Sequence, residues 1–449
     1  METKIVKFKI GVMILLGSWL VSSNKAYAET IGQDSLNHYL QVAARSNPGL
    51  KADFLTYKAA IQRIPQAGAY PDPELDMGFF LEPMDILGGK QVAEFKIMQM
   101  FPWFGTKKSA HNEAAHRAQM AFERFRENRN SLYLDIYAQW YRLCDLQERL
   151  VNNKANKELL KQLESLALQK YGSGDGQIKA SQGKMNTAMG KGSSKMSDVL
   201  RIQIELAGID NNIESVLSQL AAEKVKFNAL LGRPSEAGIS LPDSLKQVSF
   251  LLNESSVLAN IEHQNPMLKM LLEEGLSYKA QAETEKKKSY PMMGVGLQYM
   301  LNKKTDNQAF AMGSMNGKDM WMPMVSMSIP IFRNKYKAEQ REIRFRQEAS
   351  KENYENTLNN LEADYFRIRQ QLDDANRKIG LYQRQSQLAE SAYRLVVEEF
   401  TSGQSDLTNV IDVQRQLLDY QLKTADAIAD YNTKAAAIQK LISFKDTEF

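Results

Sequence analysis

The stretch Tyr290-Pro291-Met292-Met293-Gly294-Val295-Gly296-Leu297-Gln298-Tyr299 decides how the rest of the chain is read. Met293, Val295, Leu297 and Tyr299 alternate with Met292, Gly294, Gly296 and Gln298, the period-two pattern of a strand with one apolar face. Three more segments share it. Leu75, Met77, Phe79 and Leu81 alternate with Glu74, Asp76, Gly78 and Phe80, and Ala93, Phe95 and Ile97 with Glu94, Lys96 and Met98. Trp321, Val325, Met327 and Ile329 stand against Met320, Met322, Ser326 and Ser328. Strands are therefore expected at 73–82, 91–100, 292–301 and 320–329, with the length and dyad pattern of transmembrane barrel strands. Aromatics near the strand ends (Tyr70, Trp103, Phe104, Tyr290, Trp321, Phe332) suit an interfacial girdle. Four strands cannot close a barrel alone, and lipid tolerates no open edge, so closure calls for several copies of the chain.

Outward from these segments the pattern becomes helical. After Pro330, apolar residues fall at Tyr354, Leu358, Leu361, Tyr365, Ile368, Leu372, Ala375, Ile379 and Tyr382, then Ala389, Tyr393, Val396 and Phe400. Steps of four and three make a heptad seam. No proline interrupts 331–441, and a helix from 334 to 400 is expected to reach about 100 Å. A return helix has its own seam through Leu407, Val410, Leu417, Ile428, Tyr431, Ala435, Ile438 and Ile442. Helical periodicity alone fits an antiparallel coiled-coil rod equally well. Only the strands argue for a channel.

The chain also repeats. Asn47-Pro48-Gly49-Leu50 recurs as Asn265-Pro266-Met267-Leu268, Tyr70-Pro71 as Tyr290-Pro291, and Phe101-Pro102-Trp103-Phe104 as Ile329-Pro330-Ile331-Phe332. Tyr171 to Gly174 corresponds to Phe400 to Gly403, and Asp198 to Gln203 corresponds to Asn409 to Gln414. Five matches in order at offsets of 211 to 229 indicate duplication with unequal loops. The expected organisation is a signal peptide at 1–28, a first repeat at 29–233, a linker at 234–254, a second repeat at 255–443 and a tail at 444–449.

Lys4, Lys7 and Lys9 precede the apolar run Ile10 to Val21, and Ala26-Tyr27-Ala28 offers a small-x-small cleavage site. Cleavage is expected after Ala28. Of the net charge of +4 in 449 residues, Lys4, Lys7, Lys9 and Lys25 against Glu2 supply +3. The remainder is nearly neutral, which excludes a nucleic-acid partner, and the single Cys144 excludes an internal disulfide framework. His111 and His116 are five apart and do not share a helix face, and no phosphate loop or nucleophile elbow occurs, so no enzyme or cofactor is expected.

The duplicated helix–hairpin–long-helix–tip–return-helix plan resembles TolC-type outer membrane efflux proteins. The resemblance rests on the Asn-Pro-x-Leu motifs, Phe101 to Lys107, Tyr171 to Gly174, Ser197 to Gln203 and Leu230-Leu231-Gly232, and it covers residues 30–443. The turn at 101–107 is similar to the branch of that family that exports heavy metals. The resemblance implies a mainly α fold with long duplicated helical hairpins, a homotrimer sharing a 12-stranded outer-membrane β-barrel, and a helical tunnel in the periplasm. It further implies docking to a periplasmic adaptor (membrane fusion protein) and an inner-membrane resistance–nodulation–division pump. The cargo is expected to be heavy-metal cations such as copper or silver, or drugs. A secreted coiled-coil structural protein and the outer-membrane channel of a type I protein secretion system are the competing readings.

The family narrows its tunnel at the tip with acidic residues on the return helices. By motif Asp412 matches such a position and is assigned to the pore, Asn409 stands where a second aspartate is common, and Asp198 and Asp406 read as helix caps. Gly172, Gly174 and Gly403 are expected to permit the tip turns that meet the adaptor. An insertion at Asp175 to Lys195, with Met185, Met189 and Met196 nearby, reads as a loop. Nine of the 21 methionines fall between Met292 and Met327, where they serve either as soft-metal ligands or as adaptable apolar filler.

Overall fold

A computed structural model describes residues 36–174, 196–250, 253–307, 309 and 313–444. The expected signal peptide, the 175–195 insertion and the tail beyond 444 lie outside these residues. The elements run α1 (Leu36–Ser46), α2 (Pro48–Ala67), β1 (Glu74–Ile86), β2 (Gly89–Phe101), α3 (Thr106–Gly174) and α4 (Met196–Leu231). The order then recurs as α5 (Glu254–Gln264), α6 (Pro266–Lys288), β3 (Met292–Lys303), β4 (Met320–Ser328), α7 (Arg333–Thr401) and α8 (Leu407–Leu441). The fold is mainly α with one small sheet. Both α3 and α7 have 69 residues, about 100 Å at the α-helical rise.

Such helices persist because each turn finds a partner. Leu361, Tyr365, Ile368, Leu372, Ala375 and Ile379 of the heptad seam are the buried stripe of α7, packed on Val257, Ile261 and Leu268 and on Ile428, Tyr431, Ala435 and Ile438 of α8. In the first half Tyr39, Trp140 and Phe227 form an aromatic triangle with centroids 5.2 to 5.8 Å apart. Leu143, Leu146, Leu220 and Leu231 complete that core. The linker is strapped down rather than loose. Asn432 accepts from Val248 N at 2.9 Å and donates to Lys246 O at 2.9 Å, and Ser240 N donates to the Tyr39 hydroxyl at 3.1 Å.

The four strands form one antiparallel sheet in the order β1-β2-β3-β4. Its rows are in register as Leu75–Ile97–Leu297–Pro323 and Met77–Phe95–Tyr299–Trp321 on one face. On the other face Asp76, Lys96, Gln298 and Met322 align. The first face is apolar and exposed, with Phe79 at 68% and Val325 at 81%. The second is polar, with Lys96 paired to Asp76 at 3.0 Å and Gln298 donating to Glu94 at 3.0 Å. β1 outruns the expected 73–82 because the register shifts between Phe79 and Met84, where alternation breaks, and pairing then resumes to Ile86. β4 stops at Ser328, before Ile329-Pro330, because proline has no N–H for the ladder. The aromatics expected to form a girdle divide between the two ends of the sheet: Trp103 stacks on Tyr290 at 5.2 Å beside the helices, while Trp321 meets Tyr299 at 4.6 Å at the far end.

The two Asn-Pro motifs perform one task twice. Asn47 caps α2 by accepting from Leu50 N at 2.9 Å, and its amide donates to Leu230 O at 2.9 Å. Asn265 caps α6 by accepting from Met267 N at 2.9 Å, and its amide donates to Leu441 O at 3.0 Å. One side chain thus satisfies the start of one helix and the end of another, and so closes each repeat.

Two expectations follow. Asn265→Ala should cost about 1–3 kcal/mol, since Asn265 is buried and the Leu441 carbonyl loses its donor, and Asn265→Asp should recover only the cap. Thermal unfolding of the three proteins measures this. Burial, and then the neighbouring Asp145 and Glu148, push the Cys144 thiol up to about 12. Its thiolate is therefore scarce at pH 8, and maleimide should modify the folded protein hardly at all but label it fully in guanidinium.

Candidate functional site at the helical tip

At the end farthest from the sheet α7 turns into α8. Glu399 O accepts from Gln404 N at 2.8 Å and Phe400 O accepts from Gly403 N at 3.1 Å, a Schellman closure with Gly403 at φ +77°. An L side chain there would be strained, which is why glycine terminates this helix. Asp406 then caps α8, accepting from Asn409 N at 3.0 Å. Lys170 of α3 donates to the Phe400 carbonyl at 2.5 Å and lies over the Phe400 ring, placing a cation at the α7 C-terminus. Beneath the turn Leu160, Leu163, Val199, Ile202, Phe400 and Val410 form a core drawn from four helices.

Gly172 and Gly174 differ from expectation. α3 continues in helical conformation through Gly174, so neither glycine forms a turn, and the insertion that follows lies outside the described residues. Asp198 sits half-buried inside the first described turn of α4 rather than ahead of it. Asn409 and Asp412 are exposed on α8, on the side away from the buried Val410, Ile411, Gln414 and Leu417.

Asp412 has company that its sequence position did not reveal. Arg201 of α4 donates to Thr408 at 2.5 Å, and Arg415 Nε donates to Glu205 at 3.1 Å, so a polar seam joins α4 to α8. Asp412 Oδ1 lies 3.8 Å from Arg415 Nη1, with its side chain 56% exposed. Glu205 holds the guanidinium in place and raises its affinity for the proton further. The carboxylate of Asp412 therefore faces solvent beside a fixed cation, which weakens its field at any opening. Gln414 was missed altogether. It is 2% exposed and donates to Asn156 Oδ1 at 2.7 Å, tying α8 to α3. The available signal was a polar residue standing between Val410 and Leu417 on an apolar seam, a pattern that fixes helix register.

Among the described residues no group of three or more His, Cys, Asp or Glu could hold a metal ion, and no helix is long and apolar enough to cross a membrane. Residues 257–443 match the family model for outer membrane efflux proteins. The fold is similar to that of VceC, an outer membrane protein of Vibrio cholerae, with a TM-score of 0.69 at 15% identity over 91% of this chain and 96% of that one. It is similar to CusC, a protein studied for transmembrane channel formation, with a TM-score of 0.71 at 15% identity over 91% and 92% of the two chains. The open state of the MtrE outer membrane channel of Neisseria gonorrhoeae gives 0.65 at 14% identity over 92% and 91%. No curated protein matches the sequence.

If the tip forms the opening of such a channel, Asp412→Ala should reduce cation preference in planar bilayers and Arg415→Ala should increase it. Both substitutions are on an exposed surface, so each should change stability by less than about 1 kcal/mol. Reversal potentials in a salt gradient measure the first effect and thermal unfolding the second. Equal shifts of the same sign would remove Asp412 from the pore.

Proposed function

We propose that this chain, whose second half carries the outer membrane efflux protein domain and whose whole has the fold of outer-membrane channels, is the passive outer-membrane conduit of a tripartite efflux system. The observation that carries this reading is the sheet. One face is apolar and open to solvent, and both β1 and β4 leave an edge unpaired within the chain. Lipid accepts a sheet only when every backbone group is paired, so three copies would supply twelve strands and close the ring. The helices support the same assembly. Leu381, Leu388 and Leu395 recur every seven residues on α7, each at least half exposed, a seam left uncovered by the described residues of the chain.

In this assembly the sheets sit in the outer membrane and the helices extend into the periplasm. The Gly403 turns then converge about the axis at the far end, where a periplasmic adaptor would dock and link the conduit to an inner-membrane resistance–nodulation–division pump. The channel performs no chemistry of its own. Its cargo is heavy-metal cations such as copper or silver, or drugs, selected by the pump. The rod reading is disfavoured because a rod has no use for an exposed apolar sheet face.

The mature protein in detergent should have the mass of three chains, read by light scattering corrected for the micelle. A stable monomer would sink the closure argument. Cysteine scanning should then label Phe79→Cys, Val295→Cys and Val325→Cys with lipid-soluble probes, while Gly78→Cys stays dark.

A further inference from the structure

The polar face of the sheet carries sulfur in an arrangement that the efflux reading does not use. We infer that Met98, Met100 and Met324 form a binding site for a soft monovalent cation, Cu(I) or Ag(I), above the backbone of β3. This deepens the reading of the chain as an efflux conduit, on which it rests for its biological purpose.

The register builds the site. Met98 stands opposite Gly296, which stands opposite Met324, and in the next row of that face Met100, Gly294 and Ser326 align. The two glycines leave a trough between a strand bearing two methionines and a strand bearing a third. The sulfurs of β2 lie across that trough. A Cβ on Gly294 would be 2.5 Å from Met100 Sδ and 3.2 Å from Met98 Sδ, and a Cβ on Gly296 would be 3.0 Å from Met98 Sδ. A side chain at Gly294 would crowd both thioethers and the Ser326 hydroxyl, and one at Gly296 would meet the Ile97 carbonyl and the Met98 thioether. Both sulfurs also reach one hydroxyl: Ser326 Oγ is 3.6 Å from Met98 Sδ and 3.5 Å from Met100 Sδ.

That convergence favours a cation. A thioether only accepts, and one serine hydroxyl has one hydrogen to give, so one of the two sulfurs always lacks a donor. Both sulfurs lie beside one point, the Ser326 hydroxyl, where an electron-pair acceptor would serve the two together. Thioethers are soft and uncharged, which selects Cu(I) or Ag(I) over Zn(II) or Mg(II). Neutral ligands also leave the ion its charge and hold it reversibly, as a surface along a transit path requires. If these methionines were apolar filler, leucine would serve equally well, because Leu and Met exchange in cores at small cost.

Silver, which needs no reductant, is the probe. The full protein in detergent and chloride-free buffer should bind Ag(I) by isothermal titration calorimetry. The triple variant Met98→Leu, Met100→Leu, Met324→Leu should bind it about tenfold more weakly or worse. Met293→Leu and Met327→Leu, on the opposite face of β3 and β4, should leave the affinity unchanged. Gly294→Ala offers a second route, since it displaces the sulfurs without removing one and should also weaken silver binding. Folded wild-type protein that binds no silver, or binding that survives the triple replacement, overturns the site. Planar-bilayer conductance of the same preparations tests the channel reading separately, so a conducting protein without silver binding removes the site alone.

Discussion

The seam along α7 is the interaction on which this architecture depends. A helix of 69 residues in water has no stability to spare unless tertiary contacts recur at every turn. The exposed ion pairs on its outer side, such as Lys378 with Asp374 at 2.8 Å, stand in water and are screened by salt, so they add little. The buried stripe from Leu361 to Ile379 is of another order, since each fully buried large side chain contributes about 1.5–3 kcal/mol. Remove that stripe and the tip would have nothing to hold it far from the sheet.

Polar groups set where those seams begin and end. Asn47 and Asn265 each join a helix start to a helix end, 183 and 176 residues apart in the chain, Asn432 fastens the linker, and Gln414 with Asn156 fixes α3 against α8. Leucine-rich seams can slide by a heptad at little cost. A buried amide with a single correct partner cannot, because a slipped register strands its donor without water. The repeats therefore owe their extent to apolar packing and their alignment to a handful of amides.

The sheet shows the same division between pattern and partner. Its apolar face is nearly uniform, while the other face mixes carboxylates, Lys96, amides, glycines and thioethers. In the assembly proposed here the first face meets lipid and the second lines the passage. A passage wall has to be wet yet unobstructed, and the glycines of β3 narrow it least. The methionines laid across them are the feature of that wall with a specific chemical preference.

Much of this was legible in the sequence. A period of two or of 3.5 is a property of consecutive residues, so the strands, the α7 and α8 seams and the duplication can be read without coordinates. So can the Asp406 cap, whose partner Asn409 is three residues away. Alternation, however, is unchanged by any even slip, so it says nothing about which residues face each other across a sheet. That Met98, Gly296 and Met324 share a row, and that Met100 and Met98 meet at Ser326, was decided only when β2, β3 and β4 paired. Asp412 is a second case: its exposure followed from the seam, but the guanidinium that offsets its charge is held there by Glu205 on another helix. Local periodicity determined the elements of this protein, while partners drawn from distant parts of the chain, visible only in three dimensions, decided what each side chain faces.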